Sequence, residues 1–191
     1  VLEELSAVEG VYIPSFLHAE YGADGALCAL TRIRGRAHRP RKRVVKNLDS
    51  HPAHTVIETP HTEFKSMFLL ETGRGCEMGC RFCVSGYIYR PVRRRSARAL
   101  LETIEHYASE AKDLGFIGAA VSRHPGLAKL GAWASERGQR FSLSSLMSQC
   151  VTPALAAQLA NCGCQMAALA PECGRKKLRF SIGKRSSDAE I

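Results

Sequence analysis

Three cysteines carry the strongest chemical signal in this 191-residue chain. They lie in the run Gly73-Arg-Gly-Cys76-Glu-Met-Gly-Cys80-Arg-Phe-Cys83-Val-Ser-Gly86, a C-x3-C-x2-C spacing. Thiolates so close in sequence can converge on one metal centre, and in a reducing compartment such spacing points to metal or catalysis. A four-iron cluster normally takes four thiolates, so three would leave one iron with an open position. A structural zinc ion wants four ligands, and no fourth cysteine or histidine follows nearby. A disulfide or inert thiols are the remaining readings. The glycines at 73, 75, 79 and 86 would let the loop wrap closely around its contents.

Several elements must position that loop. Met67–Thr72 is a continuous apolar run, as a buried strand would be. A helix is predicted from Ser96, a good N-cap, with Leu100, Leu101, Ile104, Tyr107, Ala108 and Ala111 on one face. Strand Phe116–Val121, helix Pro125–Arg137 and strand Phe141–Leu146 follow. Thr152-Pro153 opens another helix and Gly163 closes it. Gln165–Ala170 reads as a fourth strand and Gly174–Phe180 as the start of a fourth helix. This alternation predicts a parallel sheet, because parallel neighbours need a crossover. The cysteines then sit at a C-terminal strand end, where active sites of such folds are built. The preceding residues 1–65 read as a β-rich connector: a short helix over Leu2–Val8, then strands Ala26–Ile33 and Val44–Leu48 around a basic hairpin loop, Gly35–Lys42.

The cysteine run, with Phe82 just before its third cysteine, resembles the radical S-adenosylmethionine (radical SAM) superfamily. More closely, ETGRGCEMGCRFCVSGYIYRPVRRRS is similar to radical SAM proteins that carry an N-terminal cobalamin-binding domain. HPAHTVIETPHTEF, IGAAVSRHP, FSLSSL and APECG occur in the matching order. The resemblance implies a partial (β/α) barrel over residues 66–191, with about four of the six β/α units of the complete superfamily core. It implies a 4Fe-4S cluster on Cys76, Cys80 and Cys83, whose open iron chelates the amino and carboxylate groups of S-adenosylmethionine. Phe82, Ala120, Ser122, Ser144 and Glu172 are the expected S-adenosylmethionine contacts. At Ala120 and Ser122, where relatives often carry a carboxylate, backbone oxygens would serve. Glu172 would take the ribose hydroxyls; as a residue alone it could equally be a carboxylate favoured by a helix N-terminus. An electron donor such as flavodoxin or ferredoxin, an unnamed substrate, and cobalamin through a domain preceding residue 1 complete the implied set. The chain reads as a fragment of a longer enzyme.

Composition narrows the alternatives. The hydrophobic fraction of 45% is that of a globular protein. No apolar run approaches the ~18 residues of a membrane span, and the N-terminus has no signal-peptide pattern; a cytoplasmic location and no membrane partner are expected. The net charge of +9 is concentrated in RPRKRVVK and RPVRRR, which admits RNA as a partner. A nucleic-acid-binding protein whose cysteine loop holds a structural metal is therefore the second reading. Cys28, Cys150, Cys162, Cys164 and Cys173 are expected to be buried small hydrophobes, with Cys150 and Cys173 the one pair both facing the site. His124, before Pro125, is expected to be a turn residue, with metal ligation as its alternative.

Overall fold

The computed structural model describes residues 1–35, 40–164 and 166–191. The chain divides into two compact units, Val1–Val45 and Lys46–Ile191.

In the first unit, α1 (Leu2–Leu5) precedes an antiparallel hairpin of β1 (Leu17–Tyr21) and β2 (Leu27–Arg32). Asp24-Gly25 makes the turn: Asp24 Oδ1 accepts from the Ala26 N–H at 3.0 Å, and Gly25 adopts φ +78°. This corrects the expected hairpin, because β2 pairs backwards with β1 and Val44–Leu48 forms no strand. The expected loop falls partly on residues 36–39, outside the described residues; Pro40–Arg43 and Val45–Lys46 are exposed, as a solvated basic run should be.

The second unit is mixed α/β around a three-stranded parallel sheet, in the order β3 (Phe68–Glu71), β6 (Asp113–Ile117), β7 (Arg140–Leu143). β3 (Phe68–Glu71) leads into a two-residue strand, β4 (Gly73–Arg74). The cysteine loop and the short α2 (Ser85–Ile88) follow, and β5 (Arg93–Arg94) then pairs antiparallel with β4. α3 (Ala97–Tyr107) crosses over to β6 (Asp113–Ile117), and α4 (Leu127–Glu136) to β7 (Arg140–Leu143). α5 (Pro153–Asn161) and the short α6 (Lys176–Ser181) complete the order. The caps form as their sequences require: Ser96 Oγ accepts from Ala99 N–H, and Thr152 Oγ1 from Leu155 N–H, each at 3.1 Å.

The core joins Phe68, Leu70, Leu114, Phe116 and Phe141 of the sheet to Leu100, Ile104, Leu127, Leu130 and Leu159 of the helices. The outer edge of β3 is met by residues 53–55: Thr55 N–H donates to Leu69 O at 2.9 Å, and Glu71 N–H to Ala53 O at 3.0 Å. The expected fourth strand is not formed. Among the described residues a single parallel bridge, Leu146↔Leu169, pairs 166–170 with another segment, and those residues are exposed on both faces; Gln165 lies outside the described residues. The strands expected at Phe116–Val121 and Phe141–Leu146 instead begin and end earlier, and Val121–Arg123 is a 3-10 turn. Among the described residues there is no closed barrel, and no helix is long and apolar enough to cross a membrane.

Candidate functional site

The cysteine loop is an excursion pinned at its base. Gly73 pairs with Arg94 and Arg74 with Arg93, so the chain leaves and re-enters through one narrow ribbon beyond the C-terminal end of β3. Gly75 stands at φ +87°, and a Cβ there would lie 2.5 Å from Tyr89 O, so the neck admits only glycine. At Gly79, by contrast, a Cβ would meet nothing within 4 Å, which corrects the expectation that this glycine permits a close wrap.

A buried arginine fixes the ribbon to the sheet. Arg95, 3% exposed, donates to Glu71 O at 2.8 Å, to His51 O at 2.7 Å, to Leu48 O, and to Glu71 Oε2 at 2.6 Å. Burial alone would raise the Glu71 carboxyl; hydrogen bonds from Arg74 and Arg95 outweigh it and hold the group below the usual carboxylate range.

Within the loop, Cys76 and Cys80 are buried and Cys83 half-buried. Met78 N–H donates to Cys76 Sγ at 3.4 Å, and the Cys80 thiol to Gly183 O at 3.8 Å. Cys80 lies within electrostatic reach of both other thiols. Burial pushes its thiol up, Lys184 pulls it down, and Cys76 and Cys83 add to the rise. The C-terminal segment closes over this point: Arg81 N–H donates to Ile182 O at 2.8 Å, and a Cβ on Gly183 would lie 2.6 Å from Gly79 O. Thiolates gathered in this way repel one another unless a cation is among them. Among the described residues no three His, Cys, Asp or Glu side chains are set to hold a single metal ion. A four-iron cluster is a larger object that spreads its ligands further apart, and three thiols in one loop, with Cys80 in electrostatic reach of the other two, fit its donor chemistry.

The other expected contacts lie around the loop in different ways. Glu172 has a left-handed backbone, φ +69°, unusual for a residue with a side chain. Its Oε1 accepts from Lys184 Nζ at 3.3 Å, so one lysine links Glu172 to the surroundings of Cys80. Arg179, 1% exposed, holds that backbone by donating to Cys173 O at 2.9 Å, Gly174 O at 2.8 Å and Ser186 O at 3.0 Å, with Asp188 paired to its far nitrogen. Ala120 borders a crevice of about 10 Å³ with Gly73, Gly75 and Gly118, at the base of the loop. Ser122 Oγ accepts from Met147 N–H at 3.1 Å, tying the end of β6 to the end of β7. Ser144 is exposed just past β7, and Phe82 is 55% exposed.

The sequence reading missed Lys184 and an ion-pair cluster on Glu77. Arg94 and Arg123 both donate to Glu77 Oε1, at 2.8 and 2.6 Å. Burial alone would raise the Glu77 carboxyl; a hydrogen bond from its own backbone, Arg123 and the charge of Arg94 hold it low. Glu77 sits inside the cysteine motif, which is the one signal that could have flagged it; Arg94 belongs to the basic run RPVRRR and Arg123 to IGAAVSRHP, but no spacing pairs either with Glu77.

His124 proves structural. Its Nδ1 accepts from Gly126 N–H at 3.1 Å, so Nε2 carries the proton and donates to Arg95 O at 2.7 Å. The remaining cysteines divide. Cys162 is buried as expected; Cys150, Cys164 and Cys173 are half-buried. Cys28 is exposed, a correction explained by its place on a hairpin whose strands are open to solvent. Cys150 lies within electrostatic reach of the Arg123 guanidinium.

No protein-family model matches the chain. The chain is 29% identical over 146 residues to an uncharacterized protein of Methanocaldococcus jannaschii. That match covers 75% of this chain and 32% of the relative, so the chain spans about a third of the archaeal protein's length.

Proposed function

We propose that this chain is the cluster-bearing core of a radical SAM enzyme, its parallel sheet being part of a (β/α) barrel. One observation carries the reading: three thiols, two of them buried and mutually sensed at Cys80, stand in a glycine-necked loop beyond the C-terminal end of a parallel strand. Cys76, Cys80 and Cys83 would hold a 4Fe-4S cluster through three of its irons. When bound, that cluster supplies an electron for reductive cleavage of S-adenosylmethionine to a 5′-deoxyadenosyl radical.

The chain's own residues bind, orient and shield. The β4–β5 ribbon and the Arg95 staple hold the loop at the sheet end. The 182–184 segment covers Cys80. Glu172, aimed by its left-handed backbone, would accept hydrogen bonds from the ribose hydroxyls, with Lys184 balancing its charge. Ala120, Ser122 and Ser144 would offer polar backbone and hydroxyl groups to the methionine end, and Phe82 would lie against the adenosyl group. The electron would come from a flavodoxin or ferredoxin.

The test is an ultraviolet–visible spectrum after anaerobic reconstitution with iron and sulfide. A broad brown absorption that is lost in Cys80→Ala supports the proposal. Colourless protein that binds zinc instead sinks it and favours a nucleic-acid-binding protein with a structural metal.

A further inference from the structure

On the flank of the cysteine loop lies a cavity of about 490 Å³, between residues 77–81 and residues 180–185. It is within the size range of small-ligand sites. None of the three cysteines lines it, and neither Glu172 nor Lys184 does. Three arginines do: Arg81, Arg90 and Arg185. Among the described residues neither Arg81 nor Arg185 has an ion-pair or hydrogen-bond partner for its side chain, and both are exposed. One carboxylate, Glu77, lines the cavity with these three arginines; its Oε1 pairs with Arg94 and Arg123, and its Oε2 is buried without a partner among the described residues. The space is therefore net cationic. Met78 and Phe180, the latter 48% exposed, supply an apolar wall.

We propose that this cavity binds a phosphomonoester, with the phosphate held by Arg81 and Arg185 and an aromatic or apolar group lying against Phe180 and Met78. Guanidinium groups match phosphate oxygens in pairs, which suits two uncommitted arginines lining one cavity to phosphate rather than to diffuse negative charge. A flat ring fits beside Phe180 by offset stacking. Arg90, which already donates to Glu77 O at 3.3 Å, would border the anion. The inference stands apart from the cluster reading, because the cavity shares no residue with the thiol set.

The experiment is isothermal titration of the 191-residue chain, without iron, with adenosine 5′-monophosphate, inorganic phosphate and adenosine. Saturable binding of the monophosphate is expected, tighter than phosphate alone, with adenosine much weaker. Losing one charge-assisted contact should weaken the monophosphate roughly ten-fold, so Arg81→Ala/Arg185→Ala should weaken it further. The Arg81→Lys/Arg185→Lys variant should keep part of the affinity. Thermal melts matching the parent chain show that the variants are folded; if the alanine pair fails to fold, the lysine pair carries the comparison. No saturation up to about 10 mM, unchanged affinity in a folded double variant, or equal binding of adenosine overturns the proposal.

Discussion

At the level of single residues, the cysteines differ in what surrounds them, and under the proposed function this separates the candidate ligands from filler. Cys80 donates to Gly183 O and lies within electrostatic reach of Cys76 and Cys83, whereas Cys162, also buried, donates to Gly131 O at 3.5 Å and belongs to the hydrophobic core. Cys80→Ala should therefore abolish iron uptake after reconstitution, while Cys162→Ala should keep it and lower stability by about 1 kcal/mol through a small cavity. Iron analysis and denaturant melts of both variants check this; equal iron loss would mean the ligands are misassigned. Glu172→Gln should weaken S-adenosylmethionine binding and leave iron content unchanged, since the carboxylate is placed by its backbone and not by the thiols. Equilibrium binding to the reconstituted protein reads it, and unaltered affinity would remove Glu172 from the site. Glu71 matters differently. Deleting its carboxylate leaves the buried Arg95 guanidinium without its anionic partner, so Glu71→Ala should cost about 3 kcal/mol, measurable by urea unfolding.

At the level of elements, the loop is only as firm as the turn beneath it. His124 is neutral in the fold because burial lowers its affinity for a proton, more than the hydrogen bond to Arg95 O raises it, with Arg94 adding to the lowering. Its folded value therefore lies below the unfolded one of about 6.5. The unfolded chain binds the extra proton first as pH falls. Stability from this group is full above about pH 6.5 and is lost as pH drops from there toward the folded value. Melting temperatures across that interval should decline on acidification, and His124→Asn should flatten this part of the curve. The elements also show why some of the fold was legible. Ser96 and Thr152 announce helices through bonds spanning three residues, so sequence alone suffices. The hairpin was misplaced although Asp24-Gly25 is a turn signal of the same local kind; the more basic, glycine-bearing Gly35–Lys42 drew the reading away from it. Residues 166–170 look like a strand in composition, yet a strand needs a neighbour along its length, and only Leu146 supplies a bridge. That the three cysteines share one loop is readable from spacing. Lys184 is not, because its relation to Cys80 arises from a chain crossing that no local pattern records.

For the whole molecule, charge is the property the fold leaves open to its surroundings. The chain carries +9, and Arg41, Lys42 and Arg43 are exposed in the first unit. It should be retained on heparin at low salt and elute earlier as Arg41→Glu and Lys46→Glu are introduced, because each neutralised anion releases counterions. Elution that ignores both substitutions would show that this run is not the polyanion-facing surface. The crossing at Gly183 bears on time as well as space. The cover of Cys80 comes from a residue 103 positions further along the chain. At the ribosome's pace of about 5–20 residues per second, the thiols emerge roughly 5–20 s before that cover exists. Through that interval Cys76, Cys80 and Cys83 lack this cover, and afterwards Gly183 lies across Gly79 and Cys80. On the proposed reading, biosynthesis thus gives the loop an early window for taking up iron and sulfide, and the arrival of residue 183 narrows it.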